Sequence, residues 1–178
     1  MSQGVLAPCA DNQQLFNQVK QTMKTLILGV GNPILKDDGV GIHVLRELKK
    51  KISGVDFKQA SVSGIELVEM LAGYERVIII DAMKTNDAKP GEIYELTPDE
   101  IPTLHGTTPH DIDFRTALSF GEKFLGAMPC EIRIYGIEAD NVTEFGEELT
   151  PMVAQSIPAV IEKIKKDLEN GSMEGNTC

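Results

Sequence analysis

Asp38, Asp81 and His110 are the residues of this chain whose types suit divalent-metal chemistry, although they lie far apart in sequence. Two carboxylates and one imidazole supply oxygen and nitrogen donors to a transition metal and leave positions open for water and substrate. Each also has a plainer use. Asp37 and Asp38 stand where a helix begins, and carboxylates favour the positive end of a helix dipole. Asp81 ends the apolar run Arg76–Ile80 (RVIII), where a buried carboxylate must be paired, metal-bound or hydrogen-bonded to offset its lost hydration. His105 reads as a solvated loop residue and His43 as a packed or surface residue of a helix.

Some other chemistries are excluded by pattern. The chain has no GxxxxGK[ST], so it carries no P-loop, and no GxSxG, so Ser61 and Ser63 have little support as nucleophiles. Gly29-Val30-Gly31-Asn32-Pro33-Ile34 has Ile34 where a dinucleotide fingerprint needs its third glycine.

The elements that must position these groups alternate in type. Thr25–Val30 (TLILGV) is apolar on both faces, as in a strand covered on both sides, and Gly31-Asn32-Pro33 ends it. Within Gly39–Lys51, Val40, Val44, Leu45 and Leu48 fall on one helical stripe. Val55–Val62 reads as a strand, Gly64–Gly73 as a short helix and Arg76–Ile80 as the third strand. Gly91–Leu96 reads as an additional antiparallel strand after Pro90-Gly91. Thr97–Asp111 is a long polar loop, the kind that often carries function. Ile112–Leu125 is helical, Cys130–Ile137 a strand, and Thr150-Pro151 reads as an N-cap and first position of a last helix. Pro158 should kink that helix. Alternating strands and helices predict an α/β protein, a three-layer α/β/α sandwich on a mostly parallel twisted sheet. Ligands of such folds collect outside the carboxyl ends of the strands, where Asn32, Asp38, Asp81 and the His110 loop all fall.

Composition sets the class. The 178 residues carry 17 Lys+Arg against 27 Asp+Glu, a net charge of −10, which disfavours nucleic acid as a partner. No apolar run is long enough for membrane insertion. Three cysteines without CxxC spacing argue against a disulfide framework and a thiolate zinc site, and point to a reducing, cytoplasmic setting. We expect residues 1–23 to be an N-terminal appendage, 24–169 a single domain and 170–178 a flexible tail.

Taken together, Leu28–Leu48 (LGVGNPILKDDGVGIHVLREL) resembles the signature of the nickel–iron hydrogenase maturation endopeptidases. The resemblance continues through Ser63-Gly64-Ile65-Glu66-Leu67, Ile79-Ile80-Asp81-Ala82, Pro109-His110 and Leu149-Thr150-Pro151, and covers Lys24–Leu168. It implies an endopeptidase that removes a C-terminal extension from the precursor of a hydrogenase large subunit after nickel insertion. The family's metal-contacting trio maps onto Asp38, Asp81 and His110, with Asn32, Asp37, Ser63 and Gly64 lining the substrate cleft. Nickel would arrive with the substrate, and no permanently bound cofactor is expected. Many relatives carry Asp-x-Gly-Thr before Ser63-Gly64, whereas this chain reads Lys58-Gln59-Ala60-Ser61-Val62, a difference that bears on substrate choice. Two other readings of the same residues are a precursor-binding module that does not cut, and a metal-independent aspartic-type protease that uses two carboxylates.

Overall fold

The structure is a computed structural model that describes residues 23–61, 64–85, 88–101 and 114–171. Among the described residues, five strands form one sheet: β1 (Thr25–Val30), β2 (Asp56–Ala60), β3 (Arg76–Met83), β4 (Ile93–Leu96) and β5 (Glu131–Glu138). Their order is β2-β1-β3-β5-β4, and every pairing is parallel except β4 with β5. Four α-helices among the described residues cover the sheet: α1 (Val40–Lys49), α2 (Gly64–Leu71), α3 (Phe114–Phe124) and α4 (Pro151–Gly171). This is the α/β sandwich expected.

All six β1 residues are buried, because the strand has a neighbour on each edge and helices over each face. Side-chain alternation sorts the core into two layers. Ile27, Ile78, Ile80 and Ile137 face α1 and α4 and meet Val44, Leu48, Val160 and Ile164. Leu26, Leu28, Val77 and Ile79 face the other way, against Leu67 and Leu71 of α2 and Phe114 and Leu118 of α3. Each such buried side chain contributes roughly 1.5–3 kcal/mol relative to exposure. The α4 helix continues through Pro158.

Three local differences from expectation matter. A 3-10 turn, Lys36–Gly39, precedes α1, so both aspartates sit on that turn. Strand β3 runs on to Met83, which places Asp81 inside the strand, beside Gly136 of β5. Cys130 is disulfide-bonded, where the cysteine spacing argued against a disulfide framework; Cys9 and Cys178 lie outside the described residues.

The chain reverses direction of winding at β1. It steps from β1 to β2 on one side and returns past β1 to β3 on the other. A crevice therefore opens at the carboxyl ends of β1 and β3, the usual ligand position in an open parallel sheet.

Candidate active site

Glycines bring the walls of this crevice together. A Cβ on Gly29 of β1 would lie 2.6 Å from the Gly41 carbonyl oxygen of α1. A Cβ on Gly41 would in turn overlap the carbonyl oxygens of both Val30 and Ile80. The first turn of α1 is thus pressed between the ends of β1 and β3. Asp38, three residues before Gly41, is carried to the residue after Ile80, which is Asp81. Gly31 has a φ of 128°, and a Cβ there would overlap the Asp38 carbonyl oxygen. The spacing of the glycine motif is therefore a spacing of close backbone approaches.

Asp38 closes the turn it belongs to. Its Oδ2 accepts a 2.6 Å hydrogen bond from the Asn32 N–H, and its own N–H donates to the Leu35 carbonyl at 3.1 Å. Asn32 Oδ1 accepts from the Ile34 N–H at 3.2 Å, so part of this expected cleft residue is occupied within its own turn. Asp81 is half-buried, and its Oδ1 accepts from the Ala82 N–H at 2.8 Å. Burial raises the Asp81 carboxyl to about 7; the Ala82 N–H opposes the shift and the negative charge of Asp38 adds to it. The two acids are close enough to sense each other, and the site holds a proton near neutrality.

Asp37 has a different place from its neighbour. It is fully buried, and its carboxylate accepts four hydrogen bonds. Asp140 N–H and Asn141 N–H donate to Oδ2 at 3.0 Å each, and the Thr150 hydroxyl donates to the same oxygen at 2.9 Å. The Thr150 N–H donates to Oδ1 at 2.7 Å. This corrects the expectation that Asp37 lines the cleft, since a saturated carboxylate with no exposed surface offers nothing to substrate. Thr150, expected to cap the last helix, spends its hydroxyl on the same clamp. The preceding Lys36 is a non-glycine residue at a φ of 44°. Its N–H donates to the Gly146 carbonyl at 2.7 Å and its ammonium pairs with Glu144.

Gly64 opens α2 with a φ of 58°. Ser63 and His110 lie outside the described residues. Among the described residues, no group of three or more His, Cys, Asp or Glu side chains is placed to hold a metal ion. The acids Asp38 and Asp81 are the part of the expected trio that the structure brings together.

The segments that sequence reasoning did not connect to the site are 139–150 and the end of β5. Buried Glu138 accepts from the Thr85 N–H at 2.9 Å, the Thr85 hydroxyl at 3.0 Å and the Tyr94 hydroxyl at 3.3 Å. It anchors the chain that leaves β3 just past Asp81. The only local signal was a charged residue at the end of an apolar strand.

A family model described as hydrogenase maturation protease (HycI) matches residues 42–167, from α1 to the last turns of α4. The chain belongs to the hydrogenase maturation protease family. Its relatives include the hydrogenase 2 maturation protease of Escherichia coli (strain K12), 27% identical over 157 residues, spanning 85% of this chain and 94% of the relative. The HoxM hydrogenase expression/formation protein of Azotobacter vinelandii is 30% identical over 142 residues, spanning 76% of this chain and 68% of that one. The solved structure of the hydrogenase maturating endopeptidase HybD from E. coli superposes with a TM-score of 0.71, covering 84% of this chain and 94% of that chain at 27% identity. The [NiFe] hydrogenase maturation protease HybD from Thermococcus kodakarensis gives 0.60 at 28% identity, covering 81% and 98%. This protease is thus an endopeptidase, a hydrolase of peptide bonds. Among its described residues, no helix is long and apolar enough to cross a membrane.

Proposed function

We propose that this protease removes a C-terminal extension from the nickel-loaded precursor of a hydrogenase large subunit, and that the substrate's own nickel is what it recognises. The observation that carries this reading is the Asp38–Asp81 pair at the crevice between β1 and β3. Two carboxylates held by backbone donors, one of them protonated near neutrality, make a half-built ligand set for a hard or borderline cation. Bringing a cation between them displaces the proton and offsets the cost of charging Asp81 in a partly dehydrated strand end. His110 is the third donor of the proposal, on residue type and on the match of Pro109-His110 to the family. Three protein donors leave room for precursor groups and a water.

In this reading Asp38 is the ligand oriented by the Asn32 N–H. Asp81 is the ligand that must release a proton before it binds. The precursor is thereby positioned with its scissile carbonyl beside the acids. The nickel can polarise that carbonyl or lower the pKa of a bound water, and a carboxylate can take the proton from the attacking water.

The raised proton affinity of Asp81 beside a second carboxylate supports a second reading. Asp38 as general base and Asp81, whose burial favours its protonated form, as general acid form the pair that a metal-independent aspartic-type protease uses. Incubation of the protease with nickel-loaded and nickel-free precursor, followed by mass measurement of the large subunit, separates the two. Shortening of the nickel-loaded form alone supports metal-gated recognition. Equal shortening of both, unaffected by chelator, overturns it in favour of the two-carboxylate reading.

A further inference from the structure

Two large apolar side chains stand in solvent beside the site: Ile34 at 49% exposure and Phe145 at 82%. Scattered exposed hydrophobic residues are ordinary. These two are joined, because the Gly146 N–H donates to the Ile34 carbonyl at 3.0 Å and Gly146 forms a bridge with Leu35. Ile34 belongs to the same turn, Asn32 to Asp38, that presents the first site acid.

The segment that carries Phe145 is tied down on all sides. Asn141 Oδ1 accepts from the N–H groups of Thr143 and Glu144 at 3.1 Å each. Lys36 holds Glu144 and Gly146, and Asp37 holds Asp140, Asn141 and Thr150. An aromatic ring on so constrained a loop is preorganised for contact and loses little freedom when covered. The local charge is negative, since Lys36 is engaged by Glu144 while Glu147 and Glu148 stand exposed on a chain of net charge −10.

We propose that the Ile34–Phe145 edge is an exosite for the protein substrate, which seats an apolar side chain flanked by lysine or arginine on the surface of the precursor. This rests on the reading that the substrate is a hydrogenase large-subunit precursor, and it adds where that precursor is gripped outside the crevice. Continuity with the site turn and charge complementarity select this occupant over a second copy of the chain, which is itself acidic.

The test uses the full-length chain, purified large-subunit precursor, and the variants Phe145→Ser, Ile34→Ser and Glu147→Lys/Glu148→Lys. Each variant is expected to raise KM for the precursor at least about fivefold, with kcat at saturation within about twofold of the parent. Precursor binding is measured in parallel on the Asp81→Asn background with and without Phe145→Ser. Weaker binding on loss of Phe145, with no cleavage by the parent, keeps the exosite and removes the proposed activity. Binding and KM that do not depend on Phe145 overturn the exosite, whether or not the precursor is cut. A parent dimer that Phe145→Ser converts to monomer with unchanged KM also overturns it, in favour of a contact between copies.

Discussion

Asp37 and Asp38 are adjacent on one 3-10 turn and serve opposite sides of it. Asp37 points inward, where three backbone N–H groups and one hydroxyl saturate it, while Asp38 caps the Asn32 N–H and confronts Asp81 across the crevice. The first fixes the turn so that the second is presented in one orientation. The pair separates, within two residues, a saturated inward acid from the one that the proposed function uses.

Replacing Asp37 with Ala leaves four donors without an acceptor inside the protein. We expect a loss of about 3–5 kcal/mol, the range for removing one partner of a buried charged network. Asp37→Asn should also be costly, because its amide NH2 faces donors. Urea unfolding of the purified variants measures both, and a loss within about 1 kcal/mol would mean that the clamp contributes little.

Gly41→Ala in an open helix would gain roughly 1 kcal/mol. Here the added methyl meets the Val30 and Ile80 carbonyl oxygens, so we expect a loss of about 1–3 kcal/mol as α1 is pushed off the sheet. Processing should fall with it, since the same displacement carries Asp38 away from Asp81. A stabilised Gly41→Ala with full activity would show that the close approach is not what sets the site.

Asp81 gives stability a pH dependence of defined sign. The folded protein holds the Asp81 proton up to about 7, whereas the unfolded chain releases it in the ordinary carboxylate range near 4. Between those values the folded state binds more protons, so this group's contribution to stability falls as pH rises, and levels off above 7. Asp81→Asn keeps an acceptor for the Ala82 N–H and cannot ionise. We expect it to be more stable than the parent at pH 8, to lose that advantage towards pH 4, and to be inactive in processing. Denaturant titrations of both proteins across pH 4–8 check this; parallel curves would show that Asp81 titrates normally.

The parts of the fold set by local pattern were readable in the sequence. Strand β1 was bounded correctly because all six of its residues are apolar or small, flanked by a polar segment and by Gly31-Asn32-Pro33. Asp81 was assigned to the residue after its strand because a charge following RVIII looks like an exit. The strand continues because β5 pairs with it through Gly136 and on to Glu138, a partnership more than fifty residues away. The duties of Asp37 and Asp38 were equally hidden. Which aspartate turns inward depends on Asp140, Asn141 and Thr150, and no periodicity within the turn encodes those partners. The glycine spacing was visible as a motif, but its cause, the approach of α1 to two strand ends, exists only in three dimensions.

The position of β1 between β2 and β3 has a consequence for how the site is assembled along the chain. Both acids are contained in the contiguous stretch from Thr25 to Met83, a βαβαβ unit that closes on itself. The imidazole assigned to the trio comes from the later stretch between Ile101 and Phe114. Chain order thus splits the proposed donor set: one contiguous unit carries both acids, and the imidazole must be delivered to them from a separate, later stretch.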